Sequence, residues 1–349
     1  MKASFKKHIL KFIIPGGTSR GVLKNKTSYY IILNDQKSNV GFGEVSIIKN
    51  LSIDDNETLL ENKLSQLMGM IMQNNEVPKS FFNGFPSLLF AYETAILSLK
   101  SKNSFNLFPS IFSAGEKGQR INGLIWMGDS DFMISQIKIK LDAGFSCLKL
   151  KIGALNFQEE LKILKSIRQS FSPEVLEIRV DANGAFNSNE ALEKLNLLSK
   201  FNVHSIEQPI RQGQWLEMAD LCKVTPIPIA LDEELIGISK NRQTELLEMI
   251  KPQYIILKPS LLGGFEMCDN WIEKANKQKV DWWLTSALEG NIGLNAIAQY
   301  AFTKNNLLPQ GLGTGQLYSN NISSPLTIIG EEIWYLPNSK WDLSFFDDV

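Results

Sequence analysis

The stretch CLKLKIG, residues 147–153, is an apolar run that carries two lysines one residue apart. Read as a strand, it turns Lys149 and Lys151 to the same face as Cys147, while Leu148, Leu150 and Ile152 take the other. Runs of the same kind follow at LEIRVDANG (176–184), VHSIEQPI (203–210), IPIALDEEL (227–235), YIILKPSLLGG (254–264), DWWLTSALEG (281–290) and LPQGLGTG (308–315). INGLIWMG (121–128) precedes them. Amphipathic stretches lie between, as at 157–171, where Leu161, Leu164, Ile167 and Phe171 recur every three or four residues and give one buried helix face. Lys151 to Asp181 is 30 residues, Asp181 to Glu207 is 26, Glu207 to Asp232 is 25 and Asp232 to Lys258 is 26. Each interval fits one strand and its crossover helix. Strand and helix alternating this regularly imply a parallel sheet, and eight candidate strands predict an α/β barrel, (β/α)8 or a close variant.

The first third has a different pattern. TSYYIIL (27–33) and VGFGEVSII (40–48) read as strands joined by a turn containing Asn34 and Asp35, with helices at about 56–73 and 86–100. The opening MKASFKKHILKFIIPGG imitates a signal peptide, but Lys11 interrupts it and no small-residue cleavage site follows, so it is read as a first strand. The expected division is an α+β domain over 1–118, the barrel over 119–315, and a C-terminal segment, 316–349, whose apolar IWYL (333–336) returns to the first domain.

Thirty-six basic and 37 acidic residues leave a net charge of -1, which provides no global attraction for nucleic acid or an anionic membrane. No run approaches the roughly 20 apolar residues of a membrane span. The expected partner is a small molecule carrying carboxylate. Three widely separated cysteines, Cys147, Cys222 and Cys268, suit a reducing compartment, and the cytoplasm is the expected location.

Barrel active sites form at the C-terminal ends of the strands. Lys149, Lys151, Asp181, Glu207, Asp232 and Lys258 all stand at such ends. Three carboxylates on three consecutive strands form a hard oxygen site suited to Mg2+, with Mn2+ as a substitute. Lysines two apart on a strand are about 7 Å from one another and repel by roughly 2 kcal/mol at an effective dielectric of about 20. That repulsion, a nearby metal and burial are expected to leave one of the pair neutral often enough to serve as a base. Removing a proton α to a carboxylate leaves a doubly charged enediolate, which a divalent cation can bind through two oxygens.

KLKIG, VDANGAF, IEQPI, ALDEEL and LKPSLLGG, in this order and spacing, resemble the muconate-lactonizing branch of the enolase superfamily. The resemblance covers nearly the whole chain. It implies a modified (β/α)7β barrel under an α+β capping domain built from both termini. Position by position, it implies that Lys151 is the catalytic acid/base, Lys149 its charged partner and Lys258 the lysine opposite. Asp181, Glu207 and Asp232 match the Mg2+ ligands, with Asn183 and Glu233 beside them. Within the branch, GTSRGVLKNKTSYY (17–30), TSALEGNIGLNAIAQY (285–300) and GLGTGQLY (311–318) resemble dehydratases on the route to menaquinone. The implied reaction is syn loss of water from 2-succinyl-6-hydroxy-2,4-cyclohexadiene-1-carboxylate. Arg20, in a loop over the pocket, is then a substrate contact or a surface arginine in a turn. Ser286, Gly311, Gly313 and Thr314 are candidates to bind the succinyl carboxylate through hydroxyl and backbone N–H donors, although such glycines equally serve turns.

Relatives that racemise N-succinylamino acids or epimerise dipeptides carry the same lysines. The epimerases typically hold the substrate ammonium with Asp-x-Asp after the last strand, where this chain has GLGTG. A Schiff-base aldolase would leave the three acids unexplained. A non-catalytic binding protein would lack some of the lysine and acid set, which is complete. With only His8 and His204 in the chain, a histidine triad or a zinc site is not expected, and His204 is read as packed against a helix.

Overall fold

The computed structural model describes residues 1–349 except 19, 20, 38, 75, 154, 155, 348 and 349. The chain opens with β1 (Lys2–Thr18), β2 (Gly21–Asn34) and β3 (Val40–Ser46), an antiparallel sheet in that order. Asp35 turns β2 into β3, its Oδ1 accepting the backbone N–H of both Lys37 and Asn39. Two helices cover one face: α1 (Glu57–Met72), capped by Asn56, and α2 (Pro86–Lys100), with proline in its first turn. Leu60, Leu64, Leu67, Met68 and Ile71 of α1 bury against Tyr29, Ile31 and Leu33 of β2, which are alternate residues and therefore share a face. Gly43 lets α2 lie directly on β3, because a Cβ there would stand 2.0 Å from the Ala91 carbonyl oxygen.

After a short strand, β4 (Gln119–Arg120), the chain alternates strand and helix: β5 (Gly123–Ile125), α3 (Ser130–Asp142), β6 (Cys147–Lys151), α4 (Phe157–Ser170), β7 (Glu177–Asp181), α5 (Ser188–Ser199) and β8 (Ser205–Glu207). The alternation continues through α6 (Trp215–Val224), β9 (Ile229–Leu231), α7 (Gln243–Ile250), β10 (Tyr254–Leu257), α8 (Pro259–Leu262), α9 (Gly264–Lys277), β11 (Asp281–Leu284) and α10 (Asn291–Thr303). Strands β5 to β11 form a parallel sheet in sequential order. Their outward side chains, such as Leu148, Leu150 and Ile152 of the first quoted stretch, join the helix residues Ile163, Leu164 and Ile167 in the main core.

The eighth position of the barrel is filled without a regular strand. Residues 308–315, read from sequence as a strand, instead bridge the two edges at single points: Gly311 pairs with Thr285 and Gln310 with Ile121. A proline, three glycines and a turn at 313–316 leave too few consecutive extended residues for a ladder. The architecture is the expected (β/α)7β barrel with its capping domain.

The C-terminal segment returns in two parts. β12 (Leu326–Ile329) pairs with β13 (Glu332–Tyr335), and β13 with β4 at the edge of the barrel, so IWYL docks there, with Trp334 and Tyr335 also against Gly118 and Gly115 at the end of the first domain. Trp341, Leu343, Phe345 and Phe346 then pack on Tyr30, Ile32 and Phe42 of the capping sheet. Among the described residues no helix is long and apolar enough to cross a membrane.

Candidate active site

Strand register brings the charged residues together. Lys151 is paired with Asp181, and Asp181 with Glu207. Glu207 is paired with Ala230, two residues before Asp232, and Lys258 directly follows β10. In parallel strands paired residues face the same side, so lysines and acids meet at one end of the barrel. Asp181, Glu207, Asp232, Lys149 and Lys258 are all buried.

The ammonium of Lys149 lies 2.9 Å from Asp181 Oδ2 and also contacts Glu207. Lys151 Nζ donates to Asp181 Oδ2 at 2.5 Å and to Asn183 Oδ1 at 2.9 Å. Lys258 contacts Asp232 and has Glu207 Oε1 at 3.7 Å. Burial alone would lower Lys149, but the charges of Asp181 and Glu207 outweigh it and hold this lysine well above its usual range. Strand spacing was expected to leave one lysine of the pair neutral, and Lys149 is the one that its neighbours hold charged. The same balance raises Lys258 through Asp232 and Glu207, and lowers Asp181 against its burial through Lys149, Lys151 and Lys258. Glu207 goes the other way, pushed up to about 8 by burial and by the Asp181 charge.

Three neighbouring side chains hold these groups in place. Asn183 Nδ2 donates to Glu233 Oε1 at 3.0 Å, and its N–H donates to Asp181 Oδ1 at 2.9 Å. Gln208 accepts the N–H of Asp232 at 3.2 Å and donates to Glu234 at 2.9 Å, tying the end of β8 to the end of β9. Asn183 and Glu233 were expected here. Gln208 was missed, although it stands at the strand end in IEQP.

A cavity of about 270 Å³ opens above the lysines. Lys149, Lys151, Lys258, Asn183 and Glu233 line its floor, and Ser286, Gly311, Gly313 and Thr314 line one wall. The capping domain supplies Val22, Leu23, Ile48, Lys49, Asn50 and Leu51, of which Lys49 adds a cation that sequence reasoning did not single out. Its signal was local: it sits in the loop just past β3, on the side of the sheet that reaches the barrel. Arg20 lies outside the described residues.

The hydroxyls of the wall point elsewhere than expected. Thr314 Oγ1 donates to Ser286 Oγ at 2.7 Å, and Ser286 Oγ donates to Glu289 Oε2 at 2.5 Å, so both protons are passed away from the cavity. Gly311 serves the barrel seam, where a Cβ would lie 2.5 Å from Thr285 Oγ1. At Gly313 a Cβ would make only ordinary contacts, the nearest 3.6 Å away at Ile121. His204 lies near the opposite barrel end, its Nδ1 3.0 Å from Ser205 Oγ and its ring against Tyr254, so its neighbours are strand side chains rather than a helix.

Residues 133–331 match the family model of the enolase C-terminal domain-like proteins. With that match and this fold, the chain belongs to the enolase superfamily. It is 46% identical to the o-succinylbenzoate synthase of Desulfotalea psychrophila over 95% of this chain and 98% of that one. The crystal structure of MenC from the same organism superposes with a TM-score of 0.87 at 43% identity, covering 96% of this chain and 99% of the other. At 21% identity, an o-succinylbenzoate synthase from Thermosynechococcus elongatus, solved with Mg in its active site, shares the fold at a TM-score of 0.71 over 90% of this chain and 93% of its own.

Whether the carboxylates suit a metal is a question of their donors. Among the described residues no three acidic, histidine or cysteine side chains are gathered at ion-binding spacing, because Lys149 and Lys258 lie between the acids and supply positive charge there. The donor set nonetheless fits a hard divalent cation: three buried carboxylates, all oxygen, on adjacent strands. Among the described residues Glu207 Oε1 has no hydrogen-bond donor within bonding distance, its nearest cation being Lys258 at 3.7 Å, which leaves this oxygen available to a metal.

Proposed function

We propose that this chain is an o-succinylbenzoate synthase, a hydro-lyase that converts 2-succinyl-6-hydroxy-2,4-cyclohexadiene-1-carboxylate to 2-succinylbenzoate in menaquinone biosynthesis. The observation that carries the reading is the array of Lys151, Lys149 and Lys258 with three buried acids beneath one cavity. The 46% relative supports the particular reaction.

Asp181, Glu207 and Asp232 would hold Mg2+, with Mn2+ as a substitute. When bound, that ion supplies positive charge beside the substrate carboxylate. Lys151 takes the proton from the ring carbon that bears the carboxylate. The electron pair moves into the carboxylate, giving an enediolate, and returns to form the ring double bond as the C–O bond to the departing hydroxyl breaks. Lys151 gives its proton to that hydroxide, so one water leaves from the face on which the proton was lifted. Lys149, held charged by Asp181 and Glu207, faces the carboxylate as a fixed cation, and Lys258 stands opposite as a second one. Asn183 fixes Lys151 through its Oδ1. No acidic side chain occurs in GLGTG (311–315), where a dipeptide ammonium would require one.

The test offers the purified protein the cyclohexadiene substrate with Mg2+ and, separately, N-succinylamino acids in deuterated water. Formation of 2-succinylbenzoate is expected. Exchange of only the amino acid α-hydrogen, with no dehydration, would assign the chain to the racemases instead.

A further inference from the structure

Glu289 plays no part in the chemistry above, yet it is fully buried behind the cavity wall, between two segments of the site. Its Oε2 accepts from Ser286 Oγ at 2.5 Å, and Ser286 in turn accepts from Thr314. Its Oε1 accepts from Ser260, two residues past Lys258. The turn between them is stiff, since the N–H groups of Leu261 and Leu262 both bond the Lys258 carbonyl, at 2.9 and 3.0 Å. One carboxylate thus joins the backbone that carries Lys258 to the wall formed by Ser286 and Thr314.

The capping domain reaches the same place. Glu44 of β3 accepts the N–H of Gly290 at 2.7 Å and of Gly293 at 2.9 Å, at the start of α10. Ser28 Oγ donates to Glu44 Oε1 at 2.8 Å, and the buried Lys26 donates to Ser28 at 3.0 Å. Lys26 is also the cation whose field reaches Glu289, whose carboxyl burial otherwise pushes up. A carboxylate placed this deep and satisfied by hydroxyls costs stability that an apolar residue would not. A task for it explains its presence.

Resting on the dehydratase reading, we propose that Glu289 is a positioning residue: it sets the hydroxyl direction of the Ser286–Thr314 wall, and through Ser260 it sets the seat of Lys258. The wall then keeps one shape beside the substrate's arm, and Lys258 keeps its place across the ring from Lys151. Gln at this position would still accept on one branch but donate on the other, and would reverse the hydroxyl order on the branch its nitrogen faces.

The test measures kcat and KM of the holoenzyme for Glu289→Gln, Ser286→Ala, Ser260→Ala and the two doubles, after thermal unfolding confirms each fold. Ser286→Ala is expected to change mainly KM, Ser260→Ala mainly kcat, and Glu289→Gln both, each about tenfold. Adding either serine change to Glu289→Gln is expected to give less than the product of the single effects, because each pair acts as a unit. Wild-type constants in Glu289→Gln, or effects that multiply fully in the doubles, would overturn the proposal. If the wild type fails to dehydrate the substrate, the functional reading falls, and amide exchange then decides on Glu289. Faster exchange in 258–262 and 285–289 of Glu289→Gln, with the rest unchanged, supports its role, and unchanged exchange there removes it.

Discussion

Lys149 and Lys151 stand two apart in one strand and share a face, but their partners separate their tasks. Lys149 lies between two acids and is held charged by them, whereas Lys151 reaches Asp181 and Asn183 at the edge of the cavity. Replacing Lys151 by Ala is expected to lower dehydration by about 10³-fold, within the usual weight of an acid/base group, and to leave the thermal transition within a few degrees of wild type. Steady-state rates and a thermal melt check both halves. Glu207 carries the second residue-scale expectation. Because its Oε1 has no hydrogen-bond donor among the described residues, only Lys258 at 3.7 Å, Mg2+ is expected to raise the melting temperature, by about 2.7 kcal/mol of stabilisation at a hundredfold excess over Kd. In Glu207→Gln that rise is expected to shrink severalfold. A melt series in Mg2+ that is flat for the wild type would remove the metal from these acids.

At the scale of elements, close approach of backbones sets the frame. β3 and α2 touch through Gly43, whose missing side chain leaves room for the Ala91 carbonyl. Gly43→Ala forces strand and helix apart, and is expected to cost about 1–3 kcal/mol, measured by denaturant unfolding. A variant as stable as wild type would show that the packing relaxes without cost. The same element logic explains α5, where Asn187 and Glu190 form a capping box that starts the helix just after VDANGAF. The alternation of strand and helix around this cap was legible in sequence. The seam of the barrel was not. LPQGLGTG has the position of a strand but its proline and glycines give only two bridges, and which edges they join depends on how far the other strands have curled.

At the scale of the molecule, the capping domain and barrel meet where Glu93 of α2 accepts the N–H of Phe265 at 2.7 Å, in the first turn of α9. Burial pushes this carboxyl up to about 7. A raised carboxyl favours the folded protein when protonated, so the cost of burying its charge is absent below the unfolded value and fully present above the folded one. Stability is therefore expected to lose up to about 3 kcal/mol from this group as pH rises from 4.5 to 7. Glu93→Gln keeps an acceptor for Phe265 and removes the titration. The difference in unfolding free energy between variant and wild type should then grow across that window, as read by denaturant melts at a series of pH values. A constant difference would place the titration elsewhere.

The sequence by itself determined the barrel, because side-chain alternation and an interval of 25–30 residues are local facts that any stretch of chain carries with it. It determined equally that Lys149, Lys151, Asp181, Glu207, Asp232 and Lys258 face one barrel end, since each ends a strand in the same phase. Only the tertiary structure decided that Glu44 would cap a helix 246 residues away, that Glu289 would join Ser260 to Ser286, and that the hydroxyl protons of the wall would turn away from the cavity. It also decided that IWYL would pair with Gln119–Arg120 while Phe345 and Phe346 dock on the capping sheet. Those contacts depend on where folded surfaces meet, and no period along the chain records that distance.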